Sequence, residues 1–497
     1  MSVAQPAVVG RRLAASPPLW VVVCVVAAIV SAVVLPTIPS YDPYSWIIWG
    51  REVSDPHLAF TVFDGPSWKP LPFAFTVVYG LFGGGAPTLW VITARTGGLL
   101  GLVAAWRVAS RLSGGGRWGA VAGLLAVGAV VTTYDWGYDF LRGTSEPGLI
   151  GCTLWAIDRL WHGRRGQAYA LLVAAALIRP EAWPFLIAGA GWLALRDRAF
   201  STARGRLALL AGLLVVPAGW LIPPWLGSGE PLLPAHNARL YDGVLGSDPL
   251  RTELSRAIGL QLWPLLVTAL ACVAIGIVRG RRGWLAGLAA FAVAWWTIVI
   301  AMALGLGYPG LERFDLPAAA VVCVLGAAGF VELARLAGRW AAGGGVAGRR
   351  RGPFAAVAAL CVLIGASVAA RPAPFGDLAL FEPEAALAVR TVAAMDRAVA
   401  AVGGARAVLP CPSSFVAVNH AAQPALAWDL HVGLQRVGTA MTAPGLDFVG
   451  PDNRATGIPA AIAPHLLGDR MVAAVGGWDV IALSDPDDRA ADPCIGR

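Results

Sequence analysis

An all-α polytopic membrane protein of about eleven transmembrane helices, closed by a small extracytoplasmic α/β domain, is the fold class that this sequence predicts. Three observations carry it. The 497 residues are 57% hydrophobic and only 14% charged, with 21 tryptophans, a composition too apolar for one large soluble domain. The apolar residues gather into eleven runs, near 19–35, 87–106, 118–134, 146–161, 167–178, 182–195, 207–226, 259–278, 284–305, 315–334 and 354–370. Arginine clusters fall between alternate runs, at Arg11/Arg12, Arg107/Arg111/Arg117, Arg159/Arg164/Arg165, Arg196/Arg198/Arg204/Arg206, Arg279/Arg281/Arg282 and Arg335/Arg339/Arg349/Arg350/Arg351. Every cluster therefore lands on one side, the pattern that fixes membrane orientation.

The first run follows Arg11 and Arg12 and ends in Leu-Pro-Thr-Ile-Pro without a small-x-small cleavage site, so an uncleaved first helix is expected. With the N-terminus cytoplasmic, an odd number of spans puts the C-terminal tail outside. The net charge of +8 divides unevenly: residues 372–497 carry 8 Arg and 13 Asp+Glu, or −5, leaving +13 for residues 1–371. Because the positive charge sits in short loops, it speaks for topology rather than a nucleic-acid partner.

Residues 71–84 are apolar but only about 14 long, below the roughly 17 needed to cross the hydrocarbon. Counting them as a span would invert every later loop, so an interfacial or re-entrant helix is expected. The runs 167–178 and 182–195 meet at Arg179-Pro180-Glu181 and must turn there, on the outer side. The outer face then collects the first loop, 36–86, and the later turns and tail. The inner loops contain no Gly-rich phosphate loop.

The chain divides into a membrane domain, 1–371, and an extracytoplasmic domain, 372–497. In the latter, 382–402 has helical periodicity with acids in its first turn, and short apolar runs at Arg406–Leu409 and Val480–Leu483 are separated by Pro/Gly/Asp-rich turns, as in a small α/β or irregular domain. Cys24, Cys152, Cys272, Cys323 and Cys361 lie in apolar runs as small hydrophobes. Cys411 and Cys494 lie in the tail, where an oxidising compartment would permit a disulfide.

Asp42, in Tyr41-Asp42-Pro43-Tyr44, follows the first span closely enough to hold its carboxylate at the membrane surface. There it either takes a proton from an attacking hydroxyl or caps a helix over 45–53, whose Trp46 and Trp49 suit the headgroup region. Lys69, the only lysine in the chain, recurs with Arg142, Arg179 and Arg313 at outer helix ends. Such cations suit a lipid-phosphate leaving group, and the alternative for each is snorkelling or pairing with a nearby acid. Glu146, Glu181 and Tyr44 are candidates for binding an acceptor or for auxiliary acid chemistry. Arg95 lies inside a span, costly without partners. No histidine pairs at zinc-ligand spacing, and a divalent cation at the outer carboxylates stays an open alternative. Ser413/Ser414, His420, Asp429 and His431 form no nucleophile-elbow sequence and so no expected hydrolase set.

The order Asp42-x-Tyr44, Arg51-Glu52, Lys69-Pro70-Leu71-Pro72, Leu81-Phe82-Gly83 and Arg95 resembles the acidic first loop, interfacial helix and Arg-bearing second span of GT-C glycosyltransferases. The branch most similar contains the protein O-mannosyltransferases and lipid A aminoarabinose transferases. Ser145-Glu146-Pro147, Leu177-Ile178-Arg179-Pro180-Glu181 and Tyr308 to Phe314 are similar to outer-loop motifs of related members. The resemblance covers roughly residues 19–337. It implies an inverting transfer of a sugar from a polyprenyl-phosphate donor to a cell-envelope glycan, lipid or protein acceptor, with Asp42 as base and the lysine and arginines on the phosphate. Many relatives carry a second acid where this chain has Pro43, which leaves metal dependence open. The expectation from another class is a non-catalytic scaffold or carrier for envelope glycolipids.

Overall fold

The computed structural model describes residues 17–483 apart from 63–65, 134–135, 240–247, 281, 344–345, 371–372, 374–378, 412–413, 440–444 and 452–468. Cys494 lies outside the described residues, whereas Cys411 is disulfide-bonded.

Helices cover all eleven apolar runs: α1 (Pro17–Val34), α4 (Ala86–Leu112), α5 (Gly116–Val131), α7 (Glu146–Trp161), α8 (Arg165–Ile178), α9 (Trp183–Arg196), α10 (Ala203–Ser228), α12 (Trp263–Val278), α13 (Arg282–Leu306), α14 (Leu316–Ala342) and α15 (Val346–Ala370). Between them lie α2 (Tyr41–Ser54), α3 (Pro70–Gly80), α6 (Trp136–Arg142) and α11 (Pro249–Gly259). Among the described residues, five helical segments are long and apolar enough to cross a membrane by themselves, or up to seven if two sharply bent pairs each count as one. The shorter helices, such as α7 and α8, reach only 16 and 14 residues.

At the centre stands α14, whose residues Leu316–Glu332 are all buried. Its run of Ala, Val and Gly keeps the helix thin, so that neighbours approach its backbone closely. The α4/α7 crossing works the same way: a Cβ added at Gly97 would lie 3.0 Å from the Gly148 Cα, and one at Gly101 3.2 Å from the Gly151 nitrogen. Arg95, inside α4, is wholly buried, and its guanidinium donates to the carbonyls of Ser31, Pro36 and Leu141. Those acceptors are chain ends of α1 and α6, so a costly intramembrane charge fixes how α1 meets the first loop.

The segment expected to lie in or re-enter the interface forms α3, whose 11 residues rise only about 16 Å. It packs on α2. Tryptophans 46 and 49 of α2 do not face headgroups as expected: both are fully buried. Trp46 and Trp49 share one core with Trp68 and with Met395, Leu426, Phe448 and Trp478 of the C-terminal segment. The C-terminal segment and α3 together leave α2 buried on every face from Pro43 to Glu52, its polar Ser45, Arg51 and Glu52 included.

The C-terminal segment contains α16 (Phe381–Ala401), α17 (Gln423–Asp429) and a five-stranded sheet of β1 (Val416–Val418), β2 (Val437–Gly438), β3 (Gly445–Val449), β4 (Arg470–Val475) and β5 (Trp478–Leu483). The order is β2-β1-β3-β5-β4, with β1 parallel to β2 and β3 and the β5 pairings antiparallel. The apolar run at 480–483 lies in β5, and the run at 406–409 lies mostly in the four-residue helix Ala405–Val408, entered through Gly403 and Gly404 at φ +102° and +81°. Arg51 of α2 joins the two parts: its guanidinium donates to the carbonyls of Ala427, Trp428 and Val432 and lies 4.5 Å from the Trp428 ring.

Candidate functional site: a cavity lined by cations

Four of the residues singled out in the sequence line one cavity of about 260 Å³: Asp42, Lys69, Arg179 and Arg313. Separate elements deliver them. Asp42 sits in the first turn of α2, Lys69 caps the start of α3, Arg179 ends α8, and Arg313 precedes α14. Pro70 and Pro180 follow two of these cations and begin helical turns, as proline's fixed φ allows at a first helical position. The cations thus project from places where the chain must leave its helix.

Asp42 does not cap α2. The N-cap position belongs to Ser40, which makes no side-chain cap bond. The Asp42 carboxylate instead accepts from the Ser67 backbone N–H and hydroxyl, each at 3.1 Å, and Arg313 Nη1 stands 3.8 Å from Oδ2. Ser67 therefore fixes both oxygens while one faces a guanidinium. Ser67 had no signal in the sequence, because its role depends on a contact 25 residues away.

Lys69 does not snorkel. Its ammonium is buried, donates to the Ser145 hydroxyl at 2.6 Å and to Glu146 Oε1 at 2.9 Å, and lies 5.3 Å from the Trp46 ring. Burial pulls the Lys69 ammonium below its ordinary range, with the Glu146 charge acting against that shift. Arg179 is equally buried, 3.7 Å from the same Glu146 oxygen and 4.0 Å from Glu181, with its guanidinium carbon 3.7 Å from the centre of the Phe314 ring. Glu146 is thus a shared counter-ion behind the cavity, and its two cations are held between it and the open space.

Tyr308 also lines the cavity, and its phenol accepts from Arg179 Nη1 at 3.5 Å. Burial, with Glu181 adding to it, pushes that phenol above its ordinary range. Arg239, beyond the short helix Leu233–Asn237, is a further cation on the lining. It sits in a loop with no helix-end signature, so nothing in its sequence distinguished it from the other arginines.

Three candidates fall elsewhere. Arg142 is buried away from the cavity, donating through Nη2 to the Pro39 carbonyl, while its Nε and Nη1 have no hydrogen-bond partner among the described residues. With Tyr44 it borders a void of about 20 Å³ against the C-terminal segment. Tyr44's phenol is raised by burial. Glu181 is fully buried beside Arg179, and neither of its oxygens has a hydrogen-bond partner among the described residues. No three His, Cys, Asp or Glu side chains converge as metal ligands among the described residues.

The hydrolase set is dispersed. His431 pairs with Asp55 at 3.0 Å, and the Ser414 hydroxyl accepts from the Cys411 backbone N–H. His420 packs on Tyr41 with ring centres 4.2 Å apart. Ser413 lies outside the described residues.

No family model matches the chain, and no curated protein matches its sequence. Two solved structures are similar to it over nearly its whole length. One is ArnT from Cupriavidus metallidurans bound to undecaprenyl phosphate, with 18% identity and a TM-score of 0.49 over 95% of this chain and 100% of that one. The other is the same protein in the apo state, with 17% identity and a TM-score of 0.48 over 94% and 99%. At such identity the likeness is one of fold outline and says nothing of activity.

Proposed function

We propose that this chain is an inverting membrane glycosyltransferase of the GT-C type, moving a sugar from a polyprenyl-phosphate donor to an extracytoplasmic cell-envelope acceptor. The observation that carries the reading is the placement of one carboxylate, Asp42, in a cavity otherwise lined by the charges of Lys69, Arg179, Arg239 and Arg313. A phosphate monoester leaving group needs that excess of cations. A hydroxyl nucleophile needs one base within reach.

In this reading Asp42 accepts the proton of the acceptor hydroxyl as its oxygen bonds to the anomeric carbon. The bond from that carbon to the phosphate oxygen breaks with its electron pair, and the configuration inverts in the single displacement. Lipid phosphate leaves carrying the charge, held by Lys69, Arg179 and Arg313, and the proton on Asp42 passes to water. Ser67 keeps the carboxylate aimed. Glu146 keeps two of the cations together in the resting protein, when no phosphate is there to separate their repulsion.

The orientation belongs to the same proposal, in which this cavity and residues 372–497 face outside; the arginine pattern supports it. A reporter fused after residue 371 that proves cytoplasmic sinks it. For the chemistry, the full-length protein in neutral detergent is given a radiolabelled sugar on undecaprenyl phosphate together with envelope extract. Transfer is expected in the wild type and a loss of at least a hundredfold in Asp42→Asn. Undiminished transfer in that variant removes Asp42 as base. Donor binding without transfer by the wild type would select the second reading, a glycolipid carrier, which the same cation-lined cavity also suits.

A further inference from the structure

A second cavity, larger than the first at about 430 Å³, lies between the far ends of α4, α7 and α12 and the start of α13. Its lining includes Arg111, Trp161, Arg279, Gly283, Trp284 and Glu332. Glu146 begins α7 at the cation-lined cavity and Trp161 ends it, which separates the two along the helix axis by about 22 Å. The second cavity therefore opens at the opposite end of the bundle and shares no lining residue with the first.

Its chemistry has three parts. Arg111 and Arg279 line it with a single carboxylate, Glu332, which binds Arg279 at 2.6 Å and, behind the lining, Arg335 at 3.6 Å, so the lining carries one positive charge in excess and the Arg111 guanidinium rests on the neutral ring of His162 rather than on an acid. Trp161 and Trp284 stack with ring centres 4.5 Å apart and planes 3° from parallel, a rigid amphipathic wall of the kind that sits at headgroup depth. Beside Arg279, Val278 is 86% exposed on a helix that is otherwise apolar, so the mouth of the cavity adjoins a surface that lipid chains cover.

We propose that this cavity binds the phosphate-bearing headgroup of an anionic lipid from the leaflet at that end of the bundle. The arginines take the phosphate oxygens, the tryptophan pair packs against the glycerol region, and the chains run down the apolar surfaces of α12 and α13. The stacked rings leave no gap for a planar base between them, which disfavours a nucleotide. The inference is independent of the glycosyltransferase reading, because it uses none of that site's residues.

The test is native mass spectrometry of the full-length protein in neutral detergent, titrated with phosphatidylglycerol, phosphatidylcholine or inorganic phosphate. Two variants address the cavity. Arg111→Gln with Arg279→Gln removes the charge. Gly283→Phe fills the space while keeping every charge, since a Cβ there meets nothing within 4 Å. Gly287→Phe, one turn further along α13 and also open, is the matched control outside the lining, and size-exclusion profiles check that each variant is folded.

One phosphatidylglycerol is expected per protein, bound at least about tenfold tighter than phosphatidylcholine and weakened about tenfold by either cavity variant but not by Gly287→Phe. Equal binding of the two lipids overturns the proposal, as does unchanged phosphatidylglycerol binding in Gly283→Phe. Displacement of phosphatidylglycerol by an equal concentration of inorganic phosphate overturns the lipid source and assigns the site to a soluble phosphoester.

Discussion

Lys69 and Glu146 form an ion pair of 2.9 Å in which neither side chain reaches solvent appreciably. They lie 77 residues apart and tie the start of α3 to the start of α7. Burying either charge alone is costly, and the pair is tolerable because the Ser145 hydroxyl and Arg179 complete its surroundings. Lys69→Met is expected to destabilise the protein by about 3–5 kcal/mol, because the more distant Arg179 is then the one cation within 4 Å of Glu146 among the described residues. The double variant Lys69→Met/Glu146→Gln is expected to recover part of that loss. Unfolding in denaturant, followed for both variants beside the wild type, checks the order, and equal stability of the two removes the buried-charge account.

Ser67 acts through Asp42 and is a positioning residue. Its hydroxyl and backbone N–H occupy both carboxylate oxygens, so Ser67→Ala removes one of the two bonds while the backbone bond and the Trp46 bond to the Ser67 carbonyl persist. If the proposed transfer holds, turnover is expected to fall about tenfold with little change in the KM for the donor. A rise in KM with unchanged turnover would place Ser67 in donor binding instead.

The sequence made these two residues unequal. Lys69 was legible because it is the only lysine and stands beside prolines at a helix start, features that the sequence itself carries. Ser67 was not, since serine is common in loops and only the folded chain puts it on Asp42. The eleven apolar runs were legible as helices because composition alone marks them. The burial of Trp46 and Trp49 was not: an aromatic helix near a membrane surface looks interfacial until one knows that the C-terminal segment covers it. Arg142 and Arg179 had the same appearance in the sequence. Tertiary packing sent Arg142 against the Pro39 carbonyl and Arg179 into the cavity.

Glu52 supplies a pH dependence. It is buried in α2, and burial raises its carboxyl from an ordinary 4.5 to about 8, against the opposing pull of the Thr61 N–H and Arg51. A carboxyl with a folded value above its unfolded one binds its proton more tightly when folded. Its contribution to stability is therefore fully present below about pH 4.5 and is lost as pH rises through about 8. Glu52→Gln carries no such proton. Between pH 6 and 9 the melting temperature of the wild type is expected to fall relative to that of Glu52→Gln. Parallel curves would mean that Glu52 is ionised in the fold.

The contact of α2 with α3 makes the sharpest packing prediction, because it rests on backbone rather than on side chains that can turn away. A Cβ added at Gly50 would stand 2.3 Å from the Thr76 carbonyl carbon and oxygen. Neither atom can move without shifting α3, whose first residues follow Lys69. Gly50→Ala is expected to cost about 1–3 kcal/mol, and also to lower donor binding, since the displaced helix carries Lys69 with it. Gly128 in α5 is the control: a Cβ there meets nothing within 4 Å, so Gly128→Ala gains the helix propensity of alanine, about 0.5–1 kcal/mol, and loses no contact. Thermal unfolding of the two variants should therefore move in opposite directions. A stabilised Gly50→Ala would show that α2 and α3 do not pack backbone to backbone, and with that the placement of Lys69 opposite Asp42 would lose its structural basis.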